Sequence, residues 1–170
     1  MCLEEILCSD SVGDYQQELL ELIPELRPCV GFDQKHPHHH LDVWDHTLLT
    51  IQLAPKDFEI RLVLLLHDIG KPFSFQVDGE VYHYQGHAEK SREMSKEILK
   101  RFSFPDDFTQ EVLYLIGEHD TELTPEEVLE DYDLSYKKYI VQRCDALAHH
   151  PSKLEKRKQY LERTKQYFKK

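Results

Sequence analysis

The stretch Leu62-Val63-Leu64-Leu65-Leu66-His67-Asp68-Ile69-Gly70-Lys71-Pro72 constrains the fold more than any other part of the chain. Five apolar residues in a row demand a buried segment, and the run ends in two adjacent side chains of metal-ligand type. Gly70 suits the left-handed residue that closes a helix, and Pro72 cannot continue one. His67 and Asp68 are therefore expected in the last turn of a core helix. A carboxylate there, in apolar surroundings and near the negative end of a helix dipole, is costly unless a cation meets it. The dipeptide alone leaves two readings open. It is a hydrogen-bonded pair closing a helix, or it offers imidazole nitrogen and carboxylate oxygen to one transition-metal ion.

The chain has 170 residues, enough for one domain to bury that segment without disulfide staples. Its cysteines (Cys2, Cys8, Cys29 and Cys144) form no CxxC pair, and Glu4 and Glu5 interrupt anything resembling a signal peptide. No apolar run approaches the roughly 20 residues that a membrane span needs. A reducing cytoplasm is the expected compartment. The net charge of −11 hides an asymmetry: residues 151–170 hold eight Lys/Arg against two Asp/Glu, a charge of +6, which leaves −17 on the first 150. So acidic a body does not suit a general nucleic-acid binder, which needs a basic surface to neutralise phosphates. It is compatible with a pocket that uses cations to attract a small anion. The basic tail reads as a solvated helix face, with contact to tRNA or other RNA as the less favoured alternative.

Along the chain, Tyr15, Leu19, Leu22, Ile23 and Leu26 recur at helical spacing from Asp14 to Leu26. Residues 28–41 read as a loop containing His36, His38, His39 and His40, an adventitious metal binder or a pocket rim. Asp42 is an expected N-cap for a helix running to about Ala54, and the helix of Asp57 to Asp68 follows. Alternation at Phe73, Phe75 and Val77, the turn signal Asp78-Gly79, and Val81, Tyr82 and Tyr84 predict a small β-hairpin within about 73–85. Further helices are expected at roughly 87–101, 106–120, 125–131, 134–149 and 152–168, punctuated by Pro105, Pro125 and Pro151. The whole is one all-α domain spanning 1–170, with a core at about 30–150 and a basic C-terminal helix.

The helical periodicity repeats one anomaly. His46 shares a face with Val43, Thr50 and Leu53; His87 with Ser91, Met94 and Ile98. His119 continues the stripe Phe108, Val112, Leu115, and Asp145 falls between Val141 and Ala148. A single inward histidine is usually a satisfied hydrogen-bonder, and an inward aspartate needs a partner. Four further helices each aiming one ligand type inward, beside His67-Asp68, are most economically explained by a shared metal.

The ordered set His46, His67-Asp68, His87, His119 and Asp145 resembles the HD superfamily of metal-dependent phosphohydrolases, in its extended H…HD…H…H…D form. The stretches His39-His40-Leu-Asp-Val-Trp-Asp-His46-Thr47, His67-Asp-Ile-Gly-Lys-Pro72 and Gly86-His87-Ala-Glu resemble the HD domain attached to some bacterial CCA-adding tRNA nucleotidyltransferases. That resemblance covers about residues 30–150 and implies a helical bundle with a hairpin insertion between Pro72 and Gly86. It also implies one or two divalent ions held by His46, His67, Asp68, His87, His119 and Asp145, with Asp68 bridging. Imidazole and carboxylate suit manganese, iron, cobalt, nickel and zinc alike, with magnesium as a further candidate, so the metal is open. The Gly-Ser and spaced aspartates of a nucleotidyltransferase are absent. So are the Glu-Asp pair of the guanosine tetraphosphate hydrolases and the Gly-Tyr-Pro of the cyclic-di-guanylate phosphodiesterases.

The expected activity is hydrolysis of a small nucleotide or related phosphate ester by metal-activated water. Asp68 and Lys71 are the candidate catalytic residues, Lys71 as a phosphate contact or else as an exposed lysine after a helix end. Asp120 would orient His119 or cap its helix. The rival expectation is a non-catalytic, metal-containing module that serves as an RNA- or nucleotide-associated accessory protein. Oligomeric state is left open.

Overall fold

The computed structural model describes residues 1–169. Helix α4 (Phe58–Leu66) is the axis of the bundle. Its residues from Leu62 to Leu66 are each at most 1% exposed. A helix apolar all round must be enclosed, and α4 is packed by α1 (Leu3–Leu7), α3 (Val43–Leu53), α6 (Asp106–Glu118) and α8 (Tyr132–Leu147). Enclosing each such side chain stabilises the fold by roughly 1.5–3 kcal/mol. Asp57 starts α4 by accepting from Ile60 N at 2.9 Å, as Asp42 starts α3 by accepting from Asp45 N at 2.7 Å.

Helix α1 was not foreseen. Its three buried residues, Leu3, Ile6 and Leu7, make too short a pattern to be read locally. Arg61, inside α4 and buried, explains why the segment docks. Its guanidinium donates to the carbonyls of Leu7, Ser9, Pro55 and Ala54 at 2.6–3.0 Å, tying α1 to the α3–α4 turn. The expected helix from Asp14 to Leu26 is split into a 3-10 turn, α2 (Gln16–Leu22) and a second 3-10 segment (Pro24–Cys29). Pro24 and Pro28 each lack the N–H that an α-helix would use.

After α4 the chain does not close on a left-handed glycine. Gly70 has φ −79° and ψ −14°. The reason for glycine is space. A Cβ there would lie 2.6 Å from Ser91 N and 2.9 Å from His87 O, because α5 (His87–Lys100) crosses directly over it. Lys71–Phe73 form a 3-10 turn, so the hairpin is shorter than expected: β1 (Gln76–Asp78) pairs antiparallel with β2 (Val81–His83), Gln76 opposite His83. Gly79, at φ +60°, opens the two-residue turn between them. A full capping box, Thr124 with Glu127, starts α7 (Pro125–Glu130), and Asp131 caps α8. Helix α9 (Leu154–Lys165), flanked by 3-10 turns at 151–153 and 166–168, lies against α8. No helix among the described residues is long and apolar enough to cross a membrane.

Candidate metal centre

Six side chains from five segments meet at one end of α4. His67 is the residue that closes α4, and Asp68 follows it. His46 comes from α3, His87 from the first turn of α5, His119 from the end of α6, and Asp145 from the last turn of α8. All six residues predicted from the sequence as ligands are brought together. They form two groups whose candidate ligand atoms lie within 4.8 Å of one another: His46, His67, Asp68 and Asp145, and Asp68, His87 and His119.

Asp68 belongs to both groups, one oxygen to each. Its Oδ1 lies 3.2 Å from His87 Nε2 and 3.7 Å from His119 Nε2. Its Oδ2 lies 3.2 Å from His67 Nε2, 3.6 Å from His46 Nε2 and 2.9 Å from Lys71 Nζ. Asp145 Oδ1 is 2.8 Å from His46 Nε2 and 3.6 Å from His67 Nε2.

The ring orientations decide what the cluster can bind. Every one of the four imidazoles faces a backbone carbonyl with Nδ1: His67 to Leu64 O and His119 to Ile116 O at 2.6 Å, His87 to Tyr84 O at 2.8 Å, and His46 to Ala148 O at 3.4 Å. A carbonyl can only accept, so Nδ1 carries the proton and Nε2 presents a lone pair. The lone pairs of His87 and His119 then face each other at 3.2 Å beside a carboxylate. That is repulsive unless a cation or a proton sits between. His67 Nε2 and both oxygens of Asp68 are buried and make no hydrogen bond of acceptable geometry. Polar atoms are seldom left so in a folded protein. Two imidazole nitrogens with one or two carboxylate oxygens around one point, the other ring nitrogen anchored, is the donor set of a divalent transition-metal ion.

Without an ion, protons take over part of that role. Burial opposes charging His67, but Asp68 and Asp145 outweigh it and raise its pKa to about 10. Burial works against both carboxylates as well. For Asp68 it is overcome by His67 and Lys71, and for Asp145 by His149, His46 and His67, so both stay well below the usual range. His119, with His67 as a like charge, is pushed down to about 4 by burial.

Lys71 is not a solvent-exposed lysine. It is buried, its Nζ lies 2.9 Å from both Asp68 Oδ2 and Gln34 Oε1, and it sits 5.3 Å over the Tyr84 ring. Asp120 does not orient His119, whose Nδ1 is taken by Ile116 O. It is half exposed and 4.0 Å from His87 Nδ1.

Some neighbours of the cluster were not singled out from the sequence. His149 packs on His39 and His46 with ring centroids 4.7 and 5.4 Å apart, and its Nδ1 meets Asp145 O at 2.6 Å. Its spacing of four residues from Asp145 at a helix end was the available signal. Burial, opposed by Asp145, holds it down at about 4. The loop of residues 28–41 brings His38 and His39 to the rim of the site. Asp68, His87, His119 and Asp145 of the cluster line a cavity of about 900 Å³, which Lys156 and Arg157 of α9 and Lys153 of the turn before it also line. The basic helix therefore does not merely present a solvated face.

The HD domain family matches residues 38–159, which span every ligand candidate. The chain belongs to the HD domain family. HD domains bind divalent metals, and the six-residue cluster is the candidate site for them here. A CC-adding tRNA nucleotidyltransferase of Thermus thermophilus is 38% identical over 112 residues, 62% of this chain and 25% of that protein. An A-adding tRNA nucleotidyltransferase of Deinococcus radiodurans is 33% identical over 113 residues, 62% and 26%. A ribonuclease Y of Desulfotalea psychrophila is 28% identical over 157 residues, 86% and 26%. The matched part of this HD domain protein spans about a quarter of the length of each of these relatives.

Proposed function

We propose that this HD domain protein is a metal-dependent phosphohydrolase acting on a small nucleotide or related phosphate ester. The carrying observation is the pair of ligand groups that share Asp68 on the floor of one cavity, with Asp68 and His67 Nε2 lacking hydrogen bonds. His46, His67, Asp68 and Asp145 would hold one ion, and Asp68, His87 and His119 a second. Bound there, such ions supply a Lewis acid for a phosphoryl oxygen and lower the pKa of water towards neutrality.

The protein's own part is positional. The backbone carbonyls that accept from each Nδ1 fix ring tautomer and direction, so no reorientation is needed when ligands bind. Lys71 offsets the charge of Asp68 and holds its Oδ2 in place. An ammonium has three donors. Gln34 accepts one, the ammonium faces Asp68 Oδ2 as an ion pair, and a donor is left for a phosphoryl oxygen on the cavity side. His39, half-buried, and His149, buried, pack their rings on His46 and help keep water from that side of it.

The test is turnover by metal-supplemented protein of 2′,3′-cyclic AMP, 2′-AMP, 3′-AMP, 5′-nucleotides, dinucleoside polyphosphates and an aryl phosphate. Hydrolysis of at least one nucleotide, abolished by chelation, is expected. An RNA substrate is supported by the names of the relatives, and short RNA belongs in the same panel. Cleavage of RNA alone would replace the small-substrate reading. No turnover of any member by folded, metal-loaded protein would favour the non-catalytic module.

A further inference from the structure

Many cations among the described residues are paired with carboxylates. Lys137 lies 2.7 Å from both Glu59 and Glu111, Lys138 lies 2.8 Å from Glu127, and Arg101 lies 2.6 Å from Glu25. On α9 itself, Arg163 holds Glu122 at 2.8 Å. Lys153, Lys156 and Arg157 differ. They line the cavity above the metal centre, and among the described residues none has a carboxylate within 4.0 Å. All three line the same cavity and so form one patch. Arg157 goes further: its Nε is buried with no hydrogen-bond partner, and burial lowers its pKa. A protein with −17 on its first 150 residues could readily have supplied a carboxylate here. A guanidinium that lines a cavity without a carboxylate is costly until an acceptor arrives, and its fork of donors matches pairs of phosphate oxygens.

The cavity, at about 900 Å³, lies near the upper end of the range for small-molecule sites. A single phosphate over Asp68 leaves most of it unfilled. The field of Arg157 reaches Asp145, His149 and His38, so the cationic wall and the ligand cluster belong to one enclosure. We infer that Lys153, Lys156 and Arg157 form a second phosphate subsite, and that the substrate is a nucleotide bearing two phosphates on opposite sides of a ribose. Nucleoside 3′,5′-bisphosphates and 5′-phosphorylated dinucleotides share that chemistry. The inference rests on the phosphohydrolase reading for the first phosphate, whereas the second subsite only binds.

The experiment compares adenosine 3′,5′-bisphosphate and 5′-phosphorylated diadenylate with 3′-AMP, 5′-AMP and ADP on metal-loaded protein, by KM where there is turnover and by calorimetric Kd where there is none. A wild-type preference of about tenfold for the doubly phosphorylated ligands over 3′-AMP is expected, the worth of one good charge-assisted contact. ADP, with the same number of phosphates but both on one end, should lack the gain. Which of the two preferred ligands binds tighter tells bisphosphate from dinucleotide. Arg157→Ala, and separately Lys153→Ala/Lys156→Ala, should bring the ratio to within about twofold of one. The lysine pair keeps the test valid if Arg157→Ala fails to fold, since Lys156 is exposed and Lys153 only half-buried. A wild-type ratio near one, equal preference for ADP, or a ratio that survives both variants would overturn the subsite. Preference without hydrolysis would uphold the subsite and overturn the phosphohydrolase reading.

Discussion

Asp68 has its two oxygens divided between two clusters of imidazoles, and both its neighbours and its burial make it irreplaceable. In Asp68→Asn the shape is retained but one oxygen becomes a donor that faces cationic or metal-bound groups. Metal bound per chain, measured by elemental analysis, should fall close to zero, whereas His87→Ala should lose only the portion bound by the second group. Equal metal content in wild type and Asp68→Asn would refute the shared-carboxylate geometry. Asp68→Ala also strands Lys71 and His67, both buried, without their anion. Removing one partner of such a buried pair costs about 3–5 kcal/mol. Urea unfolding in chelator should register that loss even with no ion present.

Among the elements, the seam between the end of α4 and α5 leaves no room for a side chain at Gly70. Gly70→Ala would push a methyl into Ser91 N and His87 O, both backbone, so α5 has to move. Overpacking of this kind costs about 1–3 kcal/mol. Because α5 carries His87 in its first turn, the variant should also bind less metal at the second group. A melt unchanged from wild type would mean that the seam yields freely.

The α7–α8 contact supplies a pH dependence away from the metal centre. Lys138, 1% exposed, donates to Glu127 Oε1 at 2.8 Å and Thr121 Oγ1 at 3.0 Å. Burial would raise the Glu127 carboxyl, but Lys138 and the Thr124 cap outweigh it and hold it below its ordinary 4.5. A carboxyl whose folded pKa lies below its unfolded one stabilises fully above the unfolded value, and that contribution disappears as pH falls through the folded one. The melting temperature of chelated wild type should therefore drop as pH descends from about 4.5. Glu127→Gln should flatten that limb, and an identical acid limb in both proteins would exclude the pair as its source.

At the scale of the molecule, one cluster draws on α3, α4, α5, α6 and α8 together. A cation bound there binds the folded chain and not the unfolded one, so it stabilises the assembly by mass action, by about 2.7 kcal/mol at a hundred times its Kd. Chelation should lower the melting temperature, and manganese, cobalt, nickel or zinc should restore it. A melt indifferent to both would remove the metal centre altogether.

The sequence by itself determined the buried α4, its end in His67 and Asp68, the caps Asp42 and Asp57, the hairpin signal and the six ligand candidates. Each is a local fact of period, charge or turn chemistry, legible because ligand types broke otherwise apolar helix faces. Tertiary structure decided the remainder. Only packing shows that Gly70 answers to α5 rather than to its own dihedrals. The same holds for the helix of Leu3, Ile6 and Leu7, whose C-terminal end Arg61 ties down through the carbonyls of Leu7 and Ser9. Lys71 is buried on Asp68, and His149 and Arg157 reach the cavity, through a closure of the chain that no local pattern encodes. The basic tail looked solvated because its charges lie beyond the core in sequence. In space α9 and the turn before it lie along α8, which brings three cations without a carboxylate partner into the cavity lined by Asp68 and Asp145.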